Sequence, residues 1–364
     1  MTKKIVFCTL RDNLGATGGP GGVVFMIKKV LGGHLDGYEL EYRFNPVKIG
    51  GRYKKLLNIL FFYTRCLFDK NSYYVAHDID TGAILSRLHK DYSLVYHNQG
   101  PIVQELLNLG RDLSLTDIDS LLKKEKAAFT GAKSVHCPSS GASEMYFTNS
   151  YATCRKDEVI LGEPLYNTIP IEEPLIINDL KKEPEKITFF SLGTLTDAKG
   201  QDKTIDFIER YVCNNPAIKV RYIVVGKGPL LPLLHKRANE ITGKNSNFEF
   251  IYFPSLKHSE VMYVHQIADV YIMLHRISIF DFATLEAMLS KTAIVLSPIG
   301  GNLDFDKDDN IIYVKVGEEE KAIKELTREK CELMKTKNFD VFNKFFSEDS
   351  FKNEYIKLIK DKAE

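Results

Sequence analysis

Apolar positions along this chain fall into short continuous runs and longer segments with helical spacing, and the two kinds alternate almost throughout. Residues 268–301, ADVYIMLHRISIFDFATLEAMLSKTAIVLSPIGG, are the densest case. They divide into an apolar run (269–274), an irregular segment (275–281), a helical segment (282–290) and a second apolar run (293–297), closed by Pro298 and Gly300-Gly301. Strand, loop, helix and strand in that order make the βαβ unit of a parallel sheet. The loop then lies at the carboxyl end of a strand, where open α/β sheets bind ligands, and runs into a helix N-terminus, whose free N–H groups suit a phosphate. Glu286 falls one turn inside that helix.

The first half reads the same way. Residues 3–10 form a strand, NLGATGGPGG a glycine-rich turn, and 23–35 a helix. Strands at 38–45, 73–76, 93–97 and 134–138 then alternate with helices at 52–68, 82–90, 115–132 and 141–151, which makes one doubly wound domain. Glycines in the first turn let backbone approach a phosphate closely, although many such turns only satisfy geometry. His77-Asp78-Ile79-Asp80 carries two carboxylates of the kind that hold a metal, but Asp80 before Thr81-Gly82 reads better as a helix N-cap. His97, in YHNQGP, ends a strand on the ligand-binding side. It is open to two readings, a ligand contact or a histidine hydrogen-bonded at a strand end.

Prolines and charges crowd residues 162–186 (Glu163-Pro164, Glu172-Glu173-Pro174, Lys181-Lys182-Glu183-Pro184), as in a connection between domains. Beyond it, strands at 187–192, 220–225, 248–253 and 310–316 and helices at 203–214, 259–267 and 318–336 surround the central unit in a second doubly wound domain. The final FSEDSFKNEYIKLIKDK is an amphipathic helix with Phe351, Tyr355, Ile356 and Ile359 on its apolar side. The expected divisions are 1–165, 166–345 and 346–364.

Composition changes this picture little. A length of 364 residues at 44% hydrophobic content suits two domains of ordinary size, and a net charge of +1 gives no global pointer to nucleic acid. The six cysteines are scattered without a CxxC pair or metal-ligand spacing, which implies reduced thiols and no structural zinc. No window approaches the about 20 apolar residues needed to span a bilayer. The expectation is a soluble cytoplasmic protein, peripheral to a membrane at most.

The central stretch resembles the nucleotide-sugar site of the family-4 retaining glycosyltransferases of the GT-B fold. ADV, Arg276, Phe280, LEAM and the closing PIGG stand in register with that family's pattern. Of the two glutamates that the family places eight positions apart, the first falls on Ser278 and the second is Glu286. GTLTDAKGQD resembles the segment in which an arginine and a lysine clasp the diphosphate. Lys199 and Gly200 are kept there, and Thr194 stands at the arginine position. Gly226-Lys227-Gly228-Pro229 resembles a turn near the nucleotide, and Pro254-Ser255-Leu256 with the helix after it a segment whose backbone reads the base. Gly18, Gly19, Gly21 and Gly22 occupy the place of a loop that faces the diphosphate, and His97 that of a histidine beside the sugar.

The resemblance implies an α/β protein of two facing Rossmann-like domains with an interdomain cleft, and a terminal helix that crosses back to the first domain. It implies transfer of a hexose from a nucleoside diphosphate sugar such as a UDP-sugar to a saccharide or lipid-linked saccharide hydroxyl. Configuration would be retained, no metal or cofactor would be used, and polysaccharide or glycoconjugate synthesis would be served. His97 and Glu286 are the catalytic candidates, Glu286 accepting from the ribose hydroxyls. Lys199, the glycine loop, Arg276 and the backbone at Asp281, Phe282 and Ala283 would serve the diphosphate, with Thr194, Gly226, Gly228, Pro254 and Ser278 completing the donor set. Because Ser278 and Thr194 depart from the pattern, two rivals stand beside this reading: a non-catalytic partner subunit, and a GT-B sugar-nucleotide epimerase, which shares the fold but not the chemistry.

Residues 50–70, GGRYKKLLNILFFYTRCLFDK, set Arg52, Lys54, Lys55, Arg65 and Lys70 against the lone acid Asp69, around a dense apolar sequence. A helix so apolar is expected to bury most of its circumference against the sheet. The same mixture suits the surface of an anionic bilayer, with Arg52, Lys54 and Lys55 docking.

Overall fold

The computed structural model describes residues 3–12, 19–35, 37–45 and 53–363, so Gly18 and Arg52 of the candidate set lie outside the described residues. The chain divides into two compact units, Met1–Thr168 with Glu348–Glu364, and Ile169–Ser347.

In the first unit the order is β1 (Lys3–Cys8), α1 (Pro20–Leu31), β2 (His34–Leu35), β3 (Tyr38–Arg43), α2 (Lys54–Phe68), β4 (Ser72–Ala76) and α3 (Ile79–Arg87). It continues with β5 (Tyr92–Val95), α4 (Ile102–Asn108), α5 (Leu115–Thr130), β6 (Ser134–His136) and α6 (Ser140–Phe147). The sheet runs β2-β3-β1-β4-β5-β6, parallel except for β2. The second unit comprises β7 (Lys186–Leu192), α7 (Gln201–Asn214), β8 (Lys219–Val225), α8 (Leu231–Lys244), β9 (Phe248–Phe253), α9 (His258–Ile267) and β10 (Val270–Met273). Then come α10 (Phe282–Leu289), β11 (Ala293–Leu296), β12 (Ile312–Tyr313), α11 (Glu319–Glu325) and α12 (Arg328–Val341). Its sheet, β12-β11-β10-β7-β8-β9, is parallel throughout. The last helix, α13 (Glu348–Ala363), buries Phe351, Tyr355, Leu358 and Ile359 among Ile5, Phe7 and Val24 of the first unit.

Both sheets bury their central strands as continuous apolar runs, as parallel sheets covered on both faces must. Several local expectations are corrected. Helix α1 starts at Pro20, whose fixed φ suits the first helical position, so Gly21 and Gly22 are buried in its first turn rather than in the preceding loop. It stops at Leu31 because Gly32 turns to φ 68°, and His34–Leu35 instead pairs antiparallel with β3. The cap of α3 is Asp78, not Asp80: its carboxylate accepts from Thr81 N at 2.7 Å and also from Thr9 Oγ1 and Leu10 N. Asp80 is paired with Lys124 at 2.6 Å. The helix expected over 318–336 is two helices, since Thr327 caps a new one by accepting from Lys330 N.

The largest correction concerns α2. Only Asn58, Phe62 and Cys66 of this helix are buried, while Leu56, Leu57, Leu60, Phe61, Tyr63, Leu67 and Phe68 are exposed, Phe68 at 80%. Apolar content predicts burial, but among the described residues only the Asn58, Phe62 and Cys66 stripe is covered.

Candidate active site

In the second unit the turns that follow β7, β8 and β10 pack backbone against backbone at the carboxyl end of the sheet. Gly193 N donates to Val225 O (3.0 Å), Leu195 N to Lys227 O (2.9 Å), Gly226 N to Phe253 O (3.0 Å) and Arg276 N to Ala198 O (2.9 Å). This closeness dictates glycine. Gly200 has φ 69°, and a Cβ there would strike the Leu274 carbonyl; at Gly226, with φ 147°, it would strike that of Gly193. Gly228 sits equally tightly against the Leu195 backbone.

The packed turns bring Lys199 to Asp281, 82 residues away, with Nζ 2.6 Å from Oδ1. Tyr271 donates to the other carboxylate oxygen at 2.9 Å, and the buried His275 Nε2 lies 3.8 Å from Oδ1. Burial alone would raise the Asp281 carboxyl; Lys199, His275 and the Tyr271 hydroxyl overcome this and hold it well below the usual carboxylate range. Burial pushes His275 down to about 4, so that ring is neutral near pH 7. Asp281 precedes α10 without capping it by side chain, and Phe282 and Ala283 open the helix. Lys199 has three N–H donors and spends one on Asp281. The arrangement is an anion-accepting corner, a lysine beside a helix start.

Glu286 lies further along α10, buried at 8% exposure. Its Oε1 is 3.0 Å from His258 Nε2, while Oε2 has no hydrogen bond, the nearest ring nitrogen being His265 Nε2 at 3.6 Å. The other nitrogen of His258, Nδ1, is 3.1 Å from Glu172 Oε2. Burial would raise the Glu286 carboxyl, but the two histidines hold it below its ordinary value. His258 in turn is raised to about 8, first by its hydrogen bond to Glu286 and then by the charges of Glu286 and Glu172, against burial. His265 is fully buried and lowered by that burial.

Other candidates are placed differently. Arg276 commits its fork to Asp202, at 2.8 and 2.6 Å, and also donates to Asp197 O. That pair ties the loop after β10 to the first turn of α7 and raises the guanidinium further. Ser278 is buried at 4% with no partner for Oγ, while its carbonyl accepts from Gly301 N. Thr194 and Pro254 are exposed at the ends of β7 and β9.

In the first unit, His97 Nε2 is 3.0 Å from His77 Nδ1, and the rings stack at 5.3 Å. Burial pushes His97 down to about 4, and burial plus the neighbouring ring lowers His77 further, so both are neutral. Gly21 packs so closely on Asp12 that a Cβ would meet its carbonyl, and Gly19, at φ 83°, has open space around it. Lys54 pairs with Asp12 at 2.9 Å, and Lys55 reaches Asp80 only at 3.8 Å.

Reading by sequence missed His258, His265, Tyr271, His275, Asp202 and His77. One signal was available: His258 and His265 are seven residues apart on α9, hence on one face two turns apart. Among the described residues no group of three or more His, Cys, Asp or Glu side chains is arranged to hold a metal ion.

Comparison with known proteins bears on the second unit and on the fold. Residues 172–338 match the model of the family described as glycosyl transferases group 1. Anabaena HepE in complex with UDP superposes with a TM-score of 0.64 at 13% identity, over 99% of this chain and 100% of that one. Sucrose-phosphate synthase from Thermosynechococcus elongatus gives 0.68 at 13% identity, over 99% and 98%. Trehalose-6-phosphate synthase OtsA gives 0.65 at 13%, over 98% and 99%. No curated protein sequence matches the chain. Identities this low make the likeness one of fold, and the fold is GT-B. The family match lies in the second unit, and the fold of the whole chain is the one these glycosyltransferase structures share.

Proposed function

We propose that the protein is a metal-independent, retaining family-4 glycosyltransferase that moves a hexose from a UDP-sugar to a hydroxyl acceptor in polysaccharide or glycoconjugate synthesis. The observation that carries this is the corner of the second unit where Lys199 pairs with Asp281 at the start of α10, and Glu286, one turn along the same helix, pairs with His258. UDP in the HepE complex supports the choice of nucleotide. Lys199, with donors to spare, and the Phe282 and Ala283 N–H groups stabilise the departing diphosphate. The Glu286 carboxylate accepts a ribose hydroxyl. Arg276 keeps its bond to Asp202 and holds the loop that carries Ser278. The bond from the anomeric carbon to the diphosphate oxygen breaks, and the acceptor oxygen bonds to that carbon on the same face. The acceptor's proton passes to the departing phosphate oxygen. His97, neutral and fixed by His77, is a hydrogen-bonding group for a sugar hydroxyl rather than a charge.

The test is binding of a panel of nucleotide sugars followed by acceptor-dependent release of UDP. Glu286→Gln is expected to weaken donor binding by about 1 to 3 kcal/mol, the range for a hydrogen bond to a charged group. Binding without turnover on any acceptor points to the partner subunit, and acceptor-independent conversion of the sugar nucleotide to the epimerase.

The acceptor is the finer part of the proposal. The exposed apolar stripe of α2, beside Lys54 and the 73%-exposed Lys55, is of the kind that marks a membrane or protein contact. Basic and aromatic groups together favour an anionic bilayer, where each lysine or arginine contributes about 1 kcal/mol. A lipid-linked saccharide at such a surface fits the chemistry.

A further inference from the structure

Glu286 is held in place by a residue to which nothing above assigns a role. His258 is the first residue of α9, and its ring lies between two carboxylates, Glu286 Oε1 at 3.0 Å and Glu172 Oε2 at 3.1 Å. Glu172 belongs to the stretch of the second unit that precedes β7, and that stretch is tied to α9 by Leu175 N donating to Ser259 O at 2.9 Å. The remaining titratable neighbours do not compete: Glu260 turns to Lys257 N, and His265 is buried, neutral and 3.6 Å from Glu286 Oε2. Nε2 is hydrogen-bonded to Glu286, whereas Nδ1 has no aligned hydrogen bond and meets Glu172 as an ion-pair contact, which is favourable when the ring carries its second proton. The raised value of about 8 agrees with that geometry.

We infer that His258 is a positioning residue: as an imidazolium lying against both Glu286 and Glu172 it fixes Glu286 Oε1 and so holds that carboxylate in place for the donor ribose, so that donor affinity depends on pH. The inference rests on the reading of Glu286 as the ribose contact. Loss of the proton as pH rises through about 8 frees Glu172, which is 46% exposed and can turn to water, and leaves the Glu286 carboxylate without its cation.

The experiment measures binding of UDP-, GDP- and ADP-glucose by calorimetry from pH 6.5 to 9, for the parent, His258→Gln and His258→Arg. Affinity of the parent for whichever donor binds is expected to fall about tenfold across the imidazolium titration, the scale of one charge-assisted hydrogen bond. His258→Gln should bind about tenfold more weakly at pH 7, with a flat profile. His258→Arg reaches both carboxylates, stays charged, and should keep the parent's pH 7 affinity up to pH 9. A His258→Gln protein that retains the parent's affinity and the parent's pH break overturns the inference and leaves the donor site standing. Absence of binding by the parent at every pH overturns the donor reading and this inference with it.

Discussion

Replacing Lys199 with methionine separates the residue's part in folding from its part in ligand binding. The substitution keeps the length of the side chain and removes the ammonium, leaving Asp281 buried at 9% exposure with Tyr271 as its strong donor. Breaking a fully buried ion pair costs about 3 to 5 kcal/mol, and a hydrogen bond to a charged group is worth about 1.5 to 3. The Lys199 side chain is 24% exposed, so the pair is partly screened, and a loss of about 2 kcal/mol is expected. For a unit of this size each kcal/mol lowers Tm by roughly 2 to 4 °C, so Lys199→Met should melt ~4 to 8 °C below the parent at pH 7. Asp281→Asn leaves behind a lysine that can turn to water rather than a stranded carboxylate. It should therefore cost less, and in the double variant it should recover part of the loss.

The sign of the pH dependence follows from the depressed Asp281 carboxyl. Its stabilising contribution is complete above the unfolded value of about 3.9 and is lost as pH falls through the lower folded value. In Lys199→Met the folded value rises, so the deficit at pH 7 should shrink below about pH 4, where Asp281 is protonated in both states. Thermal melts from pH 3 to 8, with donor calorimetry in parallel, measure both effects. The double variant should recover stability without recovering donor affinity. Equal melting of Lys199→Met and parent at pH 7 would refute the reasoning, as would a larger loss from Asp281→Asn than from Lys199→Met.

Two further outcomes can be stated. Ser278→Glu forces a carboxylate into a closed site, so turnover and stability should both fall, the latter by about 1 to 3 kcal/mol; a rise in turnover on a common hexose donor would show instead that the position opens on the sugar. Parent protein should sediment with anionic liposomes at low salt. A Leu60→Ser, Phe61→Ser variant should release it more completely than Lys54→Glu, Lys55→Glu, because Lys54 is already paired with Asp12; equal recovery of all three in the supernatant removes the bilayer and leaves a protein or soluble partner.

The central βαβ unit was legible almost to the residue: runs expected at 269–274, 282–290 and 293–297 are Val270–Met273, Phe282–Leu289 and Ala293–Leu296. Period, Pro298 and the closing glycines act locally there, and nothing distant competes. The cap of α3 was misassigned because the choice between Asp78 and Asp80 is made by Thr9 and Leu10, almost 70 positions earlier. The 318–336 stretch is broken by a local signal, Thr327, whose hydroxyl accepts from Lys330 N and starts a second helix.

The site divides in the same way. Lys199 and Glu286 stood out because each belongs to a short motif, whereas the groups that set their charge come from other turns of the chain. Asp281 reaches Lys199 across 82 residues, and His258 reaches Glu286 across 28. A motif identifies which side chain stands at a strand end; the pairing that keeps it charged, or spends its donors, is made by the packing of the turns. Arg276 illustrates the difference. Its motif implies a free cation for phosphate, and the fold supplies Asp202 one loop away, so the charge available to a diphosphate at this corner is that of Lys199 and the α10 N-terminus. Helix α2 carries the same lesson in reverse, since hydrophobic content reports what a helix could bury and only the neighbouring elements decide what it does bury. Its uncovered stripe is therefore a property of the fold, and an occupant for it has to be sought outside the chain's own described residues.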